Sequence, residues 1–197
     1  MSQNPSHTET NLRLPAAVYD RNIYPMTTTP HDLKSNPMTI DTTKQPSIPS
    51  PLKSIEFHDT SMDTINKWNP KDLSLHLEPE QESGYIKGHL LRKRLEGKPL
   101  LNGTVLDWLL NHPDEIPPDW KGKDVFFWGT IYRNSDDDLY VRCLYFGIDR
   151  WHWRYYWLGH SFHSGHPAAV RASALSLAVR VSALESDMDK LKKIIKL

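Results

Sequence analysis

Trp151-His152-Trp153-Arg154-Tyr155-Tyr156-Trp157-Leu158 is the stretch on which the fold turns. Side chains along a β-strand alternate between faces. Trp151, Trp153, Tyr155 and Trp157 therefore share one face, and His152, Arg154, Tyr156 and Leu158 share the other. Burying a large aromatic side chain contributes on the order of 2–3 kcal/mol, so the tryptophan face is expected to form the core. The opposite face is expected to be wet, continuing into the loop Gly159-His160-Ser161-Phe162-His163-Ser164-Gly165-His166.

Two more strands precede this one. Val125–Tyr132 and Leu139–Phe146 are rich in β-branched and aromatic residues. Asn134-Ser135-Asp136-Asp137-Asp138 and Gly147-Ile148-Asp149-Arg150 are turn signals between them. Strands joined so tightly run antiparallel, which predicts a β-meander. Upstream, Asn69-Pro70 has the form of a helix start, and Ile86–Leu95 reads as a helix stopped by Gly97. Asn102 is placed to cap a helix carrying the stripe Val105, Leu106, Leu109 and Leu110, which Pro113 ends. Ile116 and Trp120 pin the connector that follows. The expected fold class is α+β: a small helical segment plus an antiparallel β-meander over residues 67–168.

The flanks have a different character. Residues 1–66 hold Pro5, Pro15, Pro25, Pro30, Pro37, Pro46, Pro49 and Pro51 among threonine, serine and asparagine, with no sustained apolar period. Such a segment buries too little to offset its ordering entropy, and a disordered arm is expected, with short patches such as Ile55-Glu56-Phe57 able to dock. Residues 171–197 carry a heptad seam: Ala174, Val181, Met188 and Ile195 at a, Leu177, Leu184 and Leu191 at d. Arg180 at g meets Glu185 at the following e, and Asp187 meets Lys192 likewise. This predicts a coiled-coil helix and a parallel self-association. Valine and isoleucine at a favour a dimer, and the Arg180–Glu185 signature favours a trimer.

Composition narrows the function. In 197 residues, lysine plus arginine and aspartate plus glutamate are both 24, which gives no global steering toward nucleic acid or anionic membrane. The single cysteine, Cys143, excludes an intramolecular disulfide framework. No apolar run is long enough to span a bilayer and no signal-peptide pattern opens the chain, so the expected location is the cytoplasm.

Reactive constellations are thin. His160, His163 and His166 are spaced three apart with His152 nearby, but no carboxylate or cysteine cluster completes a four-ligand set, and neither metal nor cofactor is expected. No Ser–His–acid or Cys–His arrangement with an orienting third group is evident, and an enzyme is not expected. Arginines among aromatics can bind single-stranded nucleic acid, but Arg142, Arg150, Arg154 and Arg171 make too sparse a groove. Tyrosine, histidine, serine, glycine and arginine on one strand and loop match a paratope's residue mix. That mix points to recognition by this strand and the loop after it. The partner is an unknown protein or small ligand. The alternatives are a purely structural assembly protein and a metal- or single-strand nucleic-acid-binding module.

One compositional gap bears on that choice. Residues 124–184 contain no lysine, glutamate, glutamine or methionine. Strands disfavour the first two. Randomising the adenines of asparagine codons that end in a pyrimidine also yields none of the four, and no tryptophan. Leu100–Leu110, Phe126–Arg133 and Leu139–Tyr145 resemble small uncharacterised proteins of reduced-genome bacteria, and Trp151–Leu158 with Pro167-Ala168-Ala169 is similar to the variable segment of diversity-generating retroelement target proteins. The resemblance covers residues 68–175 and implies ligand binding by a hypervariable surface at His152, Arg154, Tyr156, Gly159, His160, Ser161, His163, Ser164 and His166. The glycine- and asparagine-rich ending of lectin-type retroelement targets is missing, so their fold is not implied.

Overall fold

The computed structural model describes residues 39–62 and 64–172, with Met188 besides. In chain order the elements are β1 (Ile40–Asp41), β2 (Ser54–His58), β3 (Thr64–Ile65), β4 (Leu73–His76), α1 (Pro79–Ser83), β5 (Ile86–Lys87), α2 (Gly88–Arg94), α3 (Gly103–Asn111), β6 (Val125–Arg133), β7 (Leu139–Phe146), β8 (Trp151–Trp157), β9 (Ser161–Phe162) and β10 (Ala168–Arg171). The meander β6-β7-β8 forms as expected, antiparallel throughout, with Cys143 opposite Arg154 and Leu144 opposite Trp153.

The expected fold class needs correction. The described chain is mostly β, and its main sheet is mixed, ordered β4-β10-β6-β7-β8 with β2 also on β6. Strand β10 pairs antiparallel with β4 but parallel with β6, at Ala168 opposite Phe126. It spans residues assigned in part to the start of a terminal helix: two alanines over four residues give almost no strand signal. A C-terminal coiled-coil helix is not shown, and the heptad seam falls, apart from a helical Met188, outside the described residues.

The arm also needs correction. Residues 39–62 and 64–65 belong to the domain: β2 lies antiparallel to the second half of β6, β1 pairs with β3, and Ile40, Thr42, Leu52 and Ile65 are buried. Composition misses this because a few anchors suffice when the backbone hydrogen bonds are supplied by a strand edge. Residues 1–38 lie outside the described residues.

One edge of β6 is shared in sequence by three partners. Its start takes β10, its end takes β2, and between them Gly129 N–H donates to Leu101 O at 3.0 Å while Gly129 O accepts from Asp59 N–H at 2.7 Å. A side chain at 129 would stand 2.9 Å from the backbone of Leu101 and Asn102, so only glycine admits this approach. Across the other edge the register with β7 shifts between Phe126 and Ile131, a bulge that re-aims the strand at the crossing.

Both faces of the sheet are covered. On one, Val125, Phe127, Leu144 and Ala169 pack with Val105, Leu106 and Leu109 of α3, and Trp151 and Trp153 lie half-buried against them. On the other, Phe126, Trp128, Val141 and Cys143 pack with Leu91 and Leu95 around α2 and with Ile86 and Phe162 of the β5–β9 ribbon. The second cover overturns the expectation of a wet face: Leu158 is fully buried and Tyr156 packs against this cluster.

Asn102 ties the layers together. Its Oδ1 accepts from Thr104 N–H and Val105 N–H, capping α3, and its Nδ2 donates to Thr42 O at 2.9 Å and Asp59 O at 2.8 Å. Asn102→Ala removes a cap and the side-chain donor to Asp59 O, while Thr42 O keeps His58 Nε2 at 3.0 Å, and is expected to cost about 2–4 kcal/mol. Gly129→Ala is expected to cost a similar amount by forcing the crossing apart. Urea unfolding checks both, with a lowered midpoint at unchanged slope.

Candidate functional site

The nine sequence-assigned residues fall into two groups and an outlier. Arg154, Tyr156 and His166 converge on one carboxylate, that of Asp124, just before β6. Arg154 Nη2 donates to Asp124 Oδ2, and Tyr156 Oη donates to the same oxygen at 2.9 Å. The Arg154 guanidinium lies 4.5 Å from the Tyr145 ring centroid and 5.2 Å from that of Tyr156, a stacked cation with little access to water. Burial, and then the charge of Asp124, pushes the Tyr156 phenol up, so it stays protonated. These side chains hold the fold rather than wait for a ligand.

His166 is the third member. Its Nε2 approaches Asp124 Oδ2 at 3.7 Å, its ring lies 3.8 Å from that of His163, and its Nδ1 is buried without a partner among the described residues. Burial, then the neighbouring His163, lowers its pKa from 6.5 to about 4, with Asp124 opposing. It is therefore neutral near pH 7, and its approach to Asp124 is not an ion pair there.

The second group lies on the outside of the β5–β9 ribbon. Ile86 stands opposite Phe162 and Lys87 opposite Ser161, so Ile86 and Phe162 point into the core. By alternation Tyr85, Lys87, Ser161 and His163 lie on the outer face. Tyr85 is 71% exposed, and His160, His163 and Ser164 are exposed. Lys87 Nζ donates to Gly159 O at 3.1 Å, and Gly88 N–H to His160 O at 3.0 Å, which fixes the ribbon to the turn after β8. Trp157, expected in the core, is 40% exposed. It ends the edge strand, and its indole folds over Gly159, where any side chain would collide with the ring. His160 packs edge-on against it at 5.8 Å. The outlier, His152, stacks on Tyr145 near the far end of β8.

Sequence reading missed four residues of this region. Asp124 lies thirty residues before Arg154, so no local spacing could join them. Gln81, buried in α1, donates through Nε2 to the carbonyls of His163 and His166 at 3.3 and 2.9 Å and so holds the loop from below. Lys87 falls in the stretch Ile86–Leu95 expected to be helical but belongs to β5, the helix starting only at Gly88, and Tyr85 precedes that stretch. The only signal was Phe162, an apolar residue in a polar loop, paired in spacing with buried Leu158.

Among the described residues no group of three or more histidine, cysteine, aspartate or glutamate side chains could hold a metal ion, and no helix is long and apolar enough to cross a membrane. Cys143 is fully buried, and burial pushes its thiol far up, so it is a thiol and not a nucleophile. Comparison with protein-family models, with characterised proteins and with solved structures gave no match.

Two predictions follow from the Asp124 cluster. Asp124→Ala leaves a half-buried guanidinium unpaired and is expected to cost about 2–3 kcal/mol, whereas adding Arg154→Met recovers part of the loss; a double-mutant cycle by urea unfolding reads the coupling. An imidazole whose folded pKa lies below its unfolded one binds protons more readily in the unfolded chain. Its contribution is present above pH 6.5 and is lost as pH falls toward about 4. The wild-type urea midpoint should fall through that window, and that of His166→Gln should fall less.

Proposed function

We propose that this chain is a non-enzymatic binding protein that recognises a protein or a small ligand with the outer face of the β5–β9 ribbon and the adjoining end of β8. One observation carries the reading: Tyr85 and Trp157 stand exposed beside His160, Ser161, His163 and Ser164, while their alternates Ile86, Phe162 and Leu158 are buried. Large aromatic side chains on a rigid base supply contact area at low entropy cost, and serine and histidine supply adaptable hydrogen bonds. Arg154, Tyr156 and His166 shape the surface from beneath through Asp124.

The resemblance to retroelement targets extends this proposal: the surface would be diversified between close relatives. Substitutions should then concentrate at His160, Ser161, His163 and Ser164, with Trp151, Trp153, Gln81 and Asp124 kept, and a reverse transcriptase with a near-copy of codons 143–170 should adjoin the gene. Uniform drift across residues 68–175 would remove the diversification. The surface itself is tested through stability. Side chains displayed for recognition contribute little to folding, so Tyr85→Ala and Trp157→Ala should each change stability by less than about 1 kcal/mol. Losses of about 3 kcal/mol or more would make them core residues and end the proposal.

A further inference from the structure

A cleft lies away from the ribbon, between the end of β2 with the loop after it and the turn that follows α2. Its volume is about 520 Å³, within the range of about 300–1,000 Å³ typical of small-molecule sites. Trp128, Leu95 and Leu100, all buried, line it from the core, and Phe57, 43% exposed, stands at its mouth.

Both walls are fixed by backbone bonds. Asp59 N–H donates to Gly129 O at 2.7 Å and Ser61 N–H to Asp59 Oδ1 at 2.8 Å. On the other side Lys98 N–H donates to Leu95 O at 3.1 Å across a turn in which Gly97 takes φ 77°. A cleft held this way exists before anything enters it, which lowers the cost of binding.

Two polar groups there are uncompensated. The indole Nε1–H of Trp128 is buried and has no hydrogen-bond partner among the described residues, although a buried donor without an acceptor is costly. The Arg92 guanidinium lies over the Phe57 ring, 5.7 Å from its centroid, and no carboxylate of the described residues pairs with it. The other charges of the lining are largely engaged: Lys98 reaches Glu78 at 3.5 Å and Asp59 accepts the Ser61 amide, while Glu96 is exposed at the rim.

We propose that this cleft binds a small planar monocarboxylic acid, its aromatic body between Phe57 and Trp128 and its carboxylate on Arg92. The apolar lining selects the body. A single free guanidinium balances one negative charge, and the acids Asp59 and Glu96 disfavour a dianion such as a phosphate monoester.

The test is a ¹H–¹⁵N titration of the full chain with naphthoate, following the seven indole N–H resonances, that of Trp128 being the one lost in Trp128→Phe. The Trp128 resonance should move saturably. Arg92→Gln, at a half-exposed position that leaves the spectrum dispersed, should weaken binding ~10-fold, as expected for loss of a charge-assisted hydrogen bond. Naphthamide should bind wild type more weakly than naphthoate does, and both proteins alike. The proposal is overturned by a Trp128 resonance that does not move, which also covers a cleft filled by another part of the chain. It is equally overturned by equal naphthoate affinity in Arg92→Gln, or by tighter binding of naphthylmethylamine than of naphthoate. If Trp128→Phe does not fold, the Arg92 comparison with the three probes decides alone.

Discussion

Strand β6 is apolar on both faces, with every residue but Arg133 buried, and the rest of the domain answers to that requirement. A strand that alternates apolar and polar residues can leave one side to water, but Val-Phe-Phe-Trp cannot. One cover comes from α3 and the aromatic connector, the other from α2 and the β5–β9 ribbon. Its edge is equally demanding, since the backbone groups of a central strand must find partners. No single neighbour supplies them. β10, the Leu101 crossing and β2 divide the edge among them, and the sheet is mixed for that reason.

Covering both faces buries charge on both. Arg142 on β7 lies under Trp153 at 4.5 Å and pairs with Asp107 of α3 at 2.8 Å. Arg154 on β8 lies on the opposite face and pairs with Asp124. Each cation is thus matched by one acid from a distant part of the chain and roofed by an aromatic ring. Such pairs add little net stability but strongly penalise any arrangement that separates them. The Arg142 pair holds α3 on its face, and the Arg154 pair, through Asp124, sets the loop that carries the exposed ribbon.

The sequence makes the local features legible. The strand limits of β7 and β8, the cap at Asn102 and the burial of Ile116 and Trp120 follow from short-range patterns that the structure bears out. What escaped was long-range. β10 lacks strand-forming residues, β2 lies in a segment whose composition suggests disorder, and the Asp124 cluster joins residues thirty and more positions apart. The site divides in the same way. Alternation correctly put His152, Arg154 and Tyr156 on one side of β8, but no local rule says whether a second layer will cover that side. Leu158 and Phe162, two apolar residues where a wet surface was expected, were the available clue.

Cys143 sits at the middle of this double-faced sheet, opposite Arg154 and fully enclosed. As the chain's lone sulfhydryl, it is shielded from any alkylating reagent for as long as α2 and the β5–β9 ribbon stay packed over its face of the sheet. Its rate of modification therefore works as an internal clock on the lifting of that cover.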